Sequence, residues 1–180
     1  MVSRFPVISR SGAISLAMTL FVSMIFAVNV WAGQGKEAGS AIDVTAPAID
    51  LPGLTERINL EDYRGQVVYV DFWASWCTPC RQSFPWMNDL QESYAEDGLR
   101  VLAISLDSDS DDAADFLAAT QPVFDIAFDE TGKTAEDYKV RGMPSSYVID
   151  RNGKIAFAHI GFRKKDIAVI ESGILAVLEE

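Results

Sequence analysis

Short apolar segments typical of buried β-strands alternate with helical segments through most of the chain. Strands are predicted at residues 67–73, 100–106, 124–128, 145–150 and 154–160. Helices are predicted at residues 78–94, 111–119 and 131–138, with a closing helix from residue 167. Asn152-Gly153 joins the last two strands and is the strongest short signal for a β-hairpin. This order predicts an α/β fold in which a central mixed β-sheet is flanked by helices on both faces.

The N-terminal segment has a different composition, which is typical of a targeting sequence. Arg4 and Arg10 precede an uncharged, mostly apolar stretch that ends in Val30-Trp31-Ala32, where small residues suit cleavage after Ala32. This pattern predicts a secretory signal peptide over residues 1–32. An uncleaved membrane anchor is the alternative, because the uncharged run is long enough to span a bilayer. In either case we expect the rest of the chain in the periplasm, soluble after cleavage or anchored in the inner membrane.

Composition sets limits on the remainder of the chain. Residues 33–46 are small and polar, which predicts a flexible tether, an N-terminal extension in front of one domain at residues 47–180. Of the 180 residues, 49% are hydrophobic, which excludes a disordered protein. The net charge of −11 becomes −13 without residues 1–32, which hold two arginines and no acid. This sign argues against nucleic acid as a partner, because phosphates require a basic surface. We expect a monomer.

Two cysteines, Cys77 and Cys80, lie three residues apart between a predicted strand and a predicted helix. A zinc site requires four ligands, and the single histidine and the carboxylates complete such a set poorly, so no metal is expected. A purely structural disulfide that closes so short a loop would contribute only about 2 kcal/mol. A redox-active pair is favoured instead, because the start of a helix stabilises a thiolate.

A redox pair assigns different tasks to the two cysteines. Cys77 is expected to be the exposed attacking thiolate, and Cys80, one turn inside the helix, the buried thiol that resolves the mixed disulfide. Thr78 and Pro79, between them, would tune how easily the disulfide is reduced. No bound cofactor is expected for this chemistry.

The residues around the pair resemble a known family. Residues 70–80, VDFWASWCTPC, resemble the active-site strand and turn of thioredoxins. Residues 46–51 and 80–85, together with the signal segment, resemble the exported TlpA/ResA-like branch of thiol–disulfide oxidoreductases. The resemblance covers residues 46–178 and implies a thioredoxin fold and thiol–disulfide exchange. For this branch it further implies a reductase of other exported proteins, such as apocytochrome c or copper-site proteins. A transmembrane thiol carrier would supply the electrons.

The same resemblance suggests roles for residues around the pair. Asp71 lies six residues before Cys77, where thioredoxins have a buried acid, and would take or return the Cys80 proton. Gly142-Met143-Pro144 resembles the cis-proline loop that faces the disulfide, so the Met143 backbone would bind an extended substrate beside Pro144. Trp76 would line the docking surface or, alternatively, simply cover the core.

The direction of electron flow stays open. Potentials on this fold run from about −270 to −120 mV, and the motif alone does not place a chain within that range. A disulfide oxidase is therefore one alternative, and a non-enzymatic chaperone or holdase with a structural disulfide is another. The P-x-x-x-T-x-x-C pattern of a peroxiredoxin is not met, because it would require proline at Val70 and threonine at Ala74.

Three polar groups outside the motif are interpreted as structural or solvent-exposed. One is a set of aspartates that resembles a calcium loop but lacks its glycine and glutamate, and a solvated loop at a helix N terminus is expected there. This set consists of Asp107, Asp109, Asp111, Asp112 and Asp115. The basic run Arg163-Lys164-Lys165 is expected on an exposed face. His159 is expected to be structural or exposed.

Overall fold

The computed structural model of this chain describes residues 44–180. Its strands are β1 (Val44–Thr45), β2 (Asp50–Pro52), β3 (Arg57–Asn59), β4 (Val67–Trp73), β5 (Leu99–Ser105), β6 (Asp125–Phe128), β7 (Ser145–Ile149) and β8 (Lys154–Ile160). Its helices are α1 (Thr78–Tyr94), α2 (Ser110–Thr120), α3 (Lys133–Asp137) and α4 (Ile167–Leu178), and a short 3-10 helix spans Leu60–Tyr63. Six strands form the main sheet in the order β1-β8-β7-β4-β5-β6, while β2 and β3 form a separate ribbon.

Strand β4 lies in the middle of the main sheet, and every one of its side chains is buried. It runs parallel to β5 and antiparallel to β7, so the sheet is mixed. Its side chains alternate between two hydrophobic clusters, with Tyr69 and Trp73 in one and Val70 and Phe72 in the other. Asp71 falls between Tyr69 and Trp73 in this alternation and therefore lies on the face of the first cluster.

Helices cover both faces of the sheet. On one face, α1, α2 and α4 contribute residues such as Phe84, Phe116 and Ile174 to the first cluster. On the other face, the second cluster contains Ile49 from the segment before β4 and Ala135 from α3. The predicted architecture, a central mixed sheet with helices on both faces, is therefore confirmed.

The elements predicted after residue 66 occur in the predicted order, and their ends shift by one or two residues. Strand β5 begins at Leu99 rather than Arg100. Helix α3 is shorter than the predicted residues 131–138, because Gly132 precedes it in the left-handed conformation. The hairpin turn between β7 and β8 contains Gly153 at φ +79°, a conformation that favours glycine.

The N-terminal strands lie where no strand is expected from the sequence. In β1, Val44 pairs with Ile155 of β8, so the last residues of the expected tether extend the main sheet. These residues satisfy backbone groups that would otherwise form an unpaired edge of β8. At the other edge, Gly53 bridges to Ala127 of β6. A Cβ atom at Gly53 would lie 2.5 Å from the Glu56 carbonyl oxygen and 3.0 Å from the Ile126 carbonyl oxygen, so this position requires glycine.

The expected signal peptide at residues 1–32 and most of the expected tether at residues 33–46 lie outside the described residues. The division of the chain into these segments therefore stays a prediction. Within residues 44–180, no helix is both long and apolar enough to cross a membrane.

Candidate functional site

The two cysteines lie at the start of α1, in the turn that follows β4. Cys77 is the N-cap residue of α1, and its Sγ accepts a hydrogen bond of 3.3 Å from the backbone N–H of Cys80. A disulfide joins the two residues, whose Cα atoms are 5.3 Å apart. Pro79 lies in the first turn, where proline removes no intrahelical hydrogen bond. The unpaired N–H groups and the positive end of the helix dipole therefore face the Cys77 sulfur.

The two cysteines differ little in exposure. Cys80 is fully buried, as expected for a resolving residue, whereas Cys77 keeps only 6% of its surface exposed. The expectation of an exposed Cys77 is therefore wrong for this oxidised state, because its Sγ turns toward the helix and is bonded to Cys80. The neighbouring Trp76 is 69% exposed, so its side chain does not cover the core. Thr78 is also exposed.

Asp71 is buried in β4, on the face of the sheet that α1 covers. Trp73, two residues further on, belongs to the cluster that contains both cysteines, so Asp71 lies on the same side of the sheet as the disulfide. The Oδ2 atom of Asp71 has no hydrogen-bond partner among the described residues. Burial raises the pKa of Asp71 well above its ordinary value, because desolvation disfavours the charged carboxylate.

The loop before β7 packs against the cluster that contains the two cysteines. The Met143–Pro144 peptide bond is cis, as the resemblance implied, and the Met143 side chain contacts this cluster. The Pro144 carbonyl accepts a hydrogen bond of 2.7 Å from the N–H of Gly161, which ties the loop to the end of β8. The backbone N–H and C=O of Met143 have no hydrogen-bond partner within residues 44–180. Both groups are therefore available to an extended peptide.

Asp107 contacts the turn that carries Cys77. The expectation that it belongs to a solvated loop is wrong, since only 2% of its surface is exposed. Its carboxylate accepts hydrogen bonds from Ser75 in this turn and from Ser105 at the end of β5. The signal that points to it is its place just after β5, because β4 and β5 are parallel and their C-terminal ends meet at one sheet edge.

The other four aspartates of this set are exposed, as expected. Asp109 caps α2 by accepting a hydrogen bond of 3.0 Å from the N–H of Asp111. Asp112 and Asp115 line an open cavity of about 260 Å³ that lies beside Trp76. Among the described residues, no group of three or more His, Cys, Asp or Glu side chains is arranged to hold a metal ion.

The basic run lies in the loop between β8 and α4. Its residues Arg163, Lys164 and Lys165 are exposed, as expected, and Arg163 forms an ion pair of 2.9 Å with Asp166. The hydrogen bond from Arg163 lowers the pKa of Asp166. The His159 Nε2 lies 4.0 Å from the same carboxylate, and 21% of the His159 side chain is exposed. His159 therefore has a structural position at the end of β8.

A disulfide that closes the first turn after the central strand, with a cis-proline loop packed beside it, is the arrangement that defines thioredoxin-fold proteins with a dithiol site. Comparison with known proteins leads to the same class. The chain belongs to the AhpC/TSA family, whose sequence model matches residues 41–158. The peroxiredoxin pattern would require proline at Val70 and threonine at Ala74, so this chain does not have it. The similar proteins described next are named as thiol–disulfide oxidoreductases and a thioredoxin-like protein, and not as peroxiredoxins.

These relatives are thiol–disulfide oxidoreductases and thioredoxin-like proteins. The thiol-disulfide oxidoreductase ResA of Bacillus thuringiensis subsp. konkukian is 33% identical over 121 residues, which cover 67% of this chain and 66%, just under two thirds, of that protein. The thioredoxin-like protein YneN of Bacillus subtilis is 37% identical over 135 residues, which cover 72% of this chain and 78% of YneN.

A solved structure is similar over nearly the whole described domain. It is a Chlorobium tepidum protein assigned as the thiol:disulfide interchange protein DsbE, with a TM-score of 0.74 and 51% sequence identity. The match covers 76% of this chain and 96% of that chain. The thioredoxin fold and the oxidoreductase class, of the ResA and DsbE type, are therefore confirmed.

Proposed function

We propose that this chain is an exported protein-disulfide reductase that passes electrons from the Cys77–Cys80 dithiol to disulfides in other exported proteins. The observation that carries the proposal is the position of Cys77 as the N-cap of α1, with Cys80 buried one turn inside. The N–H groups of a first helical turn stabilise a thiolate, which is the nucleophile in disulfide exchange.

The reaction proceeds in two exchanges between sulfur atoms. The Cys77 thiolate attacks one sulfur of the target disulfide, forms a mixed disulfide and releases the other target sulfur as a thiolate. The Cys80 sulfur, once deprotonated, then attacks the Cys77 Sγ and releases the second target thiolate. Two electrons pass to the target, and the Cys77–Cys80 disulfide seen in the structure is the product. Cys77 keeps 6% of its surface exposed in the oxidised state and Cys80 keeps none, so the small accessible part of the pair belongs to Cys77.

Asp71 is the proposed acceptor of the Cys80 proton. It lies on the same face of the sheet as the pair, and its Oδ2 has no hydrogen-bond partner among the described residues. Because burial raises its pKa well above the ordinary value, this carboxyl can hold a proton at a higher pH than an exposed carboxyl can, and it can pass that proton on. Asp71 would accept the Cys80 proton during the second exchange. It would return the proton to Cys80 after the Cys77–Cys80 disulfide is reduced again.

The surroundings of Cys77 support the reducing direction over the oxidase alternative. A strong oxidant requires a strongly stabilised thiolate, because this stabilises its reduced form. Within residues 44–180, the Cys77 Sγ accepts its hydrogen bond from the backbone N–H of Cys80. The next cationic residue along the chain, Arg81, stacks over the Phe116 ring at 5.0 Å. The net charge of −13 without residues 1–32 opposes a further anion. Thr78 and Pro79, between the two cysteines, would further tune the reduction potential of the disulfide.

The proposed substrate segment is an extended polypeptide that crosses between Trp76 and the cis-proline loop. The unpaired backbone groups of Met143 would form hydrogen bonds to it, as an added β-strand does. Pro144 fixes the direction of this loop, and the exposed indole of Trp76 would cover the other side of the segment.

Export, partners and oligomeric state complete the proposal. The composition of residues 1–32 supports a signal peptide and a periplasmic location, with attachment to the membrane only if this segment stays uncleaved. Resemblance to the TlpA/ResA-like branch supports apocytochrome c or copper-site proteins as targets and a transmembrane thiol carrier as electron donor. We propose a monomeric enzyme without a bound cofactor or metal. The mass of the protein recovered after export distinguishes cleavage after Ala32 from retention of the anchor.

The proposed activity is tested by insulin reduction with the protein purified after export. The wild-type protein should accelerate the reduction of insulin by dithiothreitol, and Cys77→Ser should abolish the acceleration. Cys80→Ser should accumulate a mixed disulfide with the target, because the second exchange is lost. Wild-type protein that gives no acceleration would contradict the proposal.

The holdase alternative makes the opposite prediction for the same variants. A holdase would suppress the aggregation of an unfolded client equally well in the wild-type protein and in Cys77→Ser, since its disulfide is only structural. Equal suppression, combined with no acceleration of insulin reduction, would favour the holdase.

A further inference from the structure

We infer that Asp107 is a positioning residue that acts on Cys77 through Ser75. Its carboxylate holds the turn before Cys77 in the geometry that makes Cys77 the N-cap of α1. This inference rests on the proposed function and names a residue that keeps the attacking sulfur in place.

The contacts of Asp107 fix one short segment from two sides. Its Oδ2 accepts from the backbone N–H of Ser75 at 2.9 Å, and its Oδ1 accepts from the Ser75 hydroxyl at 2.9 Å. A third bond, from the Ser105 hydroxyl to Oδ2 at 2.8 Å, anchors the carboxylate on β5. Asp107 is 2% exposed, so these bonds are shielded from water. A buried carboxylate that accepts from both hydrogen-bond donors of one residue leaves that residue little freedom.

Ser75 is linked to Cys77 by a turn of two residues. The N–H of Cys77 donates to the Ala74 carbonyl at 3.0 Å, so Ser75 and Trp76 are enclosed in this turn. The Trp73 carbonyl, just before the turn, accepts from the N–H of Leu106 at 2.8 Å. The ends of β4 and β5 are thus tied together just before the turn, at Trp73, and within it, at Ser75. The direction in which Cys77 enters α1 depends on these bonds.

Position and charge have opposite effects on Cys77 in the reduced protein. The fixed turn keeps the Cys77 Sγ against the N–H groups of the first helical turn, which lowers the pKa of its thiol. The negative charge of Asp107 disfavours a second anion nearby, which raises this pKa. Removal of the carboxylate therefore raises the pKa of Cys77 if position dominates and lowers it if charge dominates. We infer that position dominates, because both hydrogen-bond donors of Ser75 are bound by Asp107.

The test measures the rate of Cys77 alkylation by iodoacetamide as a function of pH in the reduced, full-length exported protein. Asp107→Asn keeps the size of the side chain but leaves at least one of its three donors without an acceptor. Ser75→Ala removes one donor and keeps the charge, so it isolates the effect of position. Ser75→Thr restores the hydroxyl, and Asp111→Asn removes an exposed carboxyl from the first turn of α2 as a control for charge.

In Asp107→Asn and in Ser75→Ala, the midpoint of the curve of Cys77 alkylation rate against pH is expected to move to higher pH. Alkylation at pH 7 should slow by about threefold to tenfold in Asp107→Asn and less in Ser75→Ala, since the rate follows the thiolate fraction. Ser75→Thr and Asp111→Asn should stay near the wild-type profile. The reduction potential should fall in the two slowed variants, because their thiolate form is less stable.

Two results would overturn the inference. A midpoint of the alkylation curve at lower pH in Asp107→Asn would show that the charge of Asp107, and not its hydrogen bonds to Ser75, determines the pKa of Cys77. An unchanged midpoint in both Asp107→Asn and Ser75→Ala, with only a lower melting temperature, would show a purely structural role. Failure of the proposed function is a separate result, since it appears as wild-type protein that does not accelerate insulin reduction.

Discussion

The backbone N–H of Cys80 donates a hydrogen bond of 3.3 Å to the Sγ of Cys77, across the first turn of α1. Cys80 thus contributes its backbone to the attacking sulfur and its side chain to the disulfide. Because both contributions depend on the placement of one helical turn, the packing of α1 on the sheet affects the chemistry directly. Phe84, one turn after Cys80, lies in the cluster that fixes this placement.

Truncation of Phe84 should strongly destabilise the protein. Its ring is 1% exposed and lies 4.7 Å from both the Trp73 ring and the Phe116 ring, measured between centroids. Phe84→Ala should reduce the free energy of unfolding by about 3–5 kcal/mol, through lost burial and the cavity left behind. Denaturant unfolding of the oxidised protein measures this change.

The matched control for Phe84→Ala is Val169→Ala in α4, where the side chain is 56% exposed. This substitution should change the free energy of unfolding by less than about 0.5 kcal/mol. A loss of under about 1 kcal/mol for Phe84→Ala would contradict the packing described for the first cluster.

Replacement of Asp71 by asparagine should stabilise the protein at neutral pH. Because burial raises the pKa of Asp71, the folded state holds the proton more tightly than the unfolded state does. The burial of Asp71 therefore costs stability that grows as the pH rises above the unfolded-state pKa of about 3.9. The gain in melting temperature in Asp71→Asn should accordingly be larger at pH 8 than at pH 4. Asp89→Asn, on the exposed face of α1, controls for the loss of one carboxyl group. A gain that does not depend on pH would contradict this assignment.

The same Asp71→Asn variant should be slower in the second exchange of the reaction. Loss of a positioned proton acceptor typically slows a step by about 100-fold or more, although water can replace part of this effect. Stopped-flow decay of the mixed disulfide measures the second exchange, and its formation on Cys77 should change less. Equal slowing of both exchanges would indicate that Asp71 acts on Cys77 rather than on Cys80.

Removal of the Trp76 indole should weaken the reaction with proteins more than the reaction with small disulfides. Trp76 is 69% exposed and adjacent to Cys77, so Trp76→Ala should leave the free energy of unfolding nearly unchanged. The KM for a protein disulfide should rise by about 5-fold to 30-fold, as expected for an aromatic contact worth 1–2 kcal/mol. Leu54→Ala, which removes a side chain that is 59% exposed, is the control and should leave the KM unchanged. An equal rate loss with hydroxyethyl disulfide would show that Trp76 acts on the sulfur chemistry and not on docking.

The central part of the fold could be predicted from the sequence because local patterns and long-range packing agree there. The apolar run around Val70 predicts a buried strand whatever the order of the strands in the sheet. Asn152-Gly153 favours a tight hairpin turn through its own backbone preferences. The positions of Cys77 and Cys80 at a strand–helix junction followed from these elements alone.

The rest of the fold and site could not be predicted, because it depends on contacts between segments distant in sequence. Strand β1 forms because its backbone pairs with the otherwise unpaired edge of β8. Nothing in the local sequence around Val44 indicates this pairing. Asp107 looked like its exposed neighbours, and only the parallel pairing of β4 with β5 brings it to Ser75. The low exposure of Cys77 depends on the disulfide and on the orientation of α1, which spacing does not encode.

The reduction potential of the Cys77–Cys80 pair, measured at equilibrium with glutathione, tests the proposed reductase most directly. A pair whose thiolate is stabilised mainly by the first turn of α1 should have a potential closer to that of thioredoxin, about −270 mV, than to that of DsbA. A value near −120 mV, as in DsbA, would contradict the reductase and favour the oxidase.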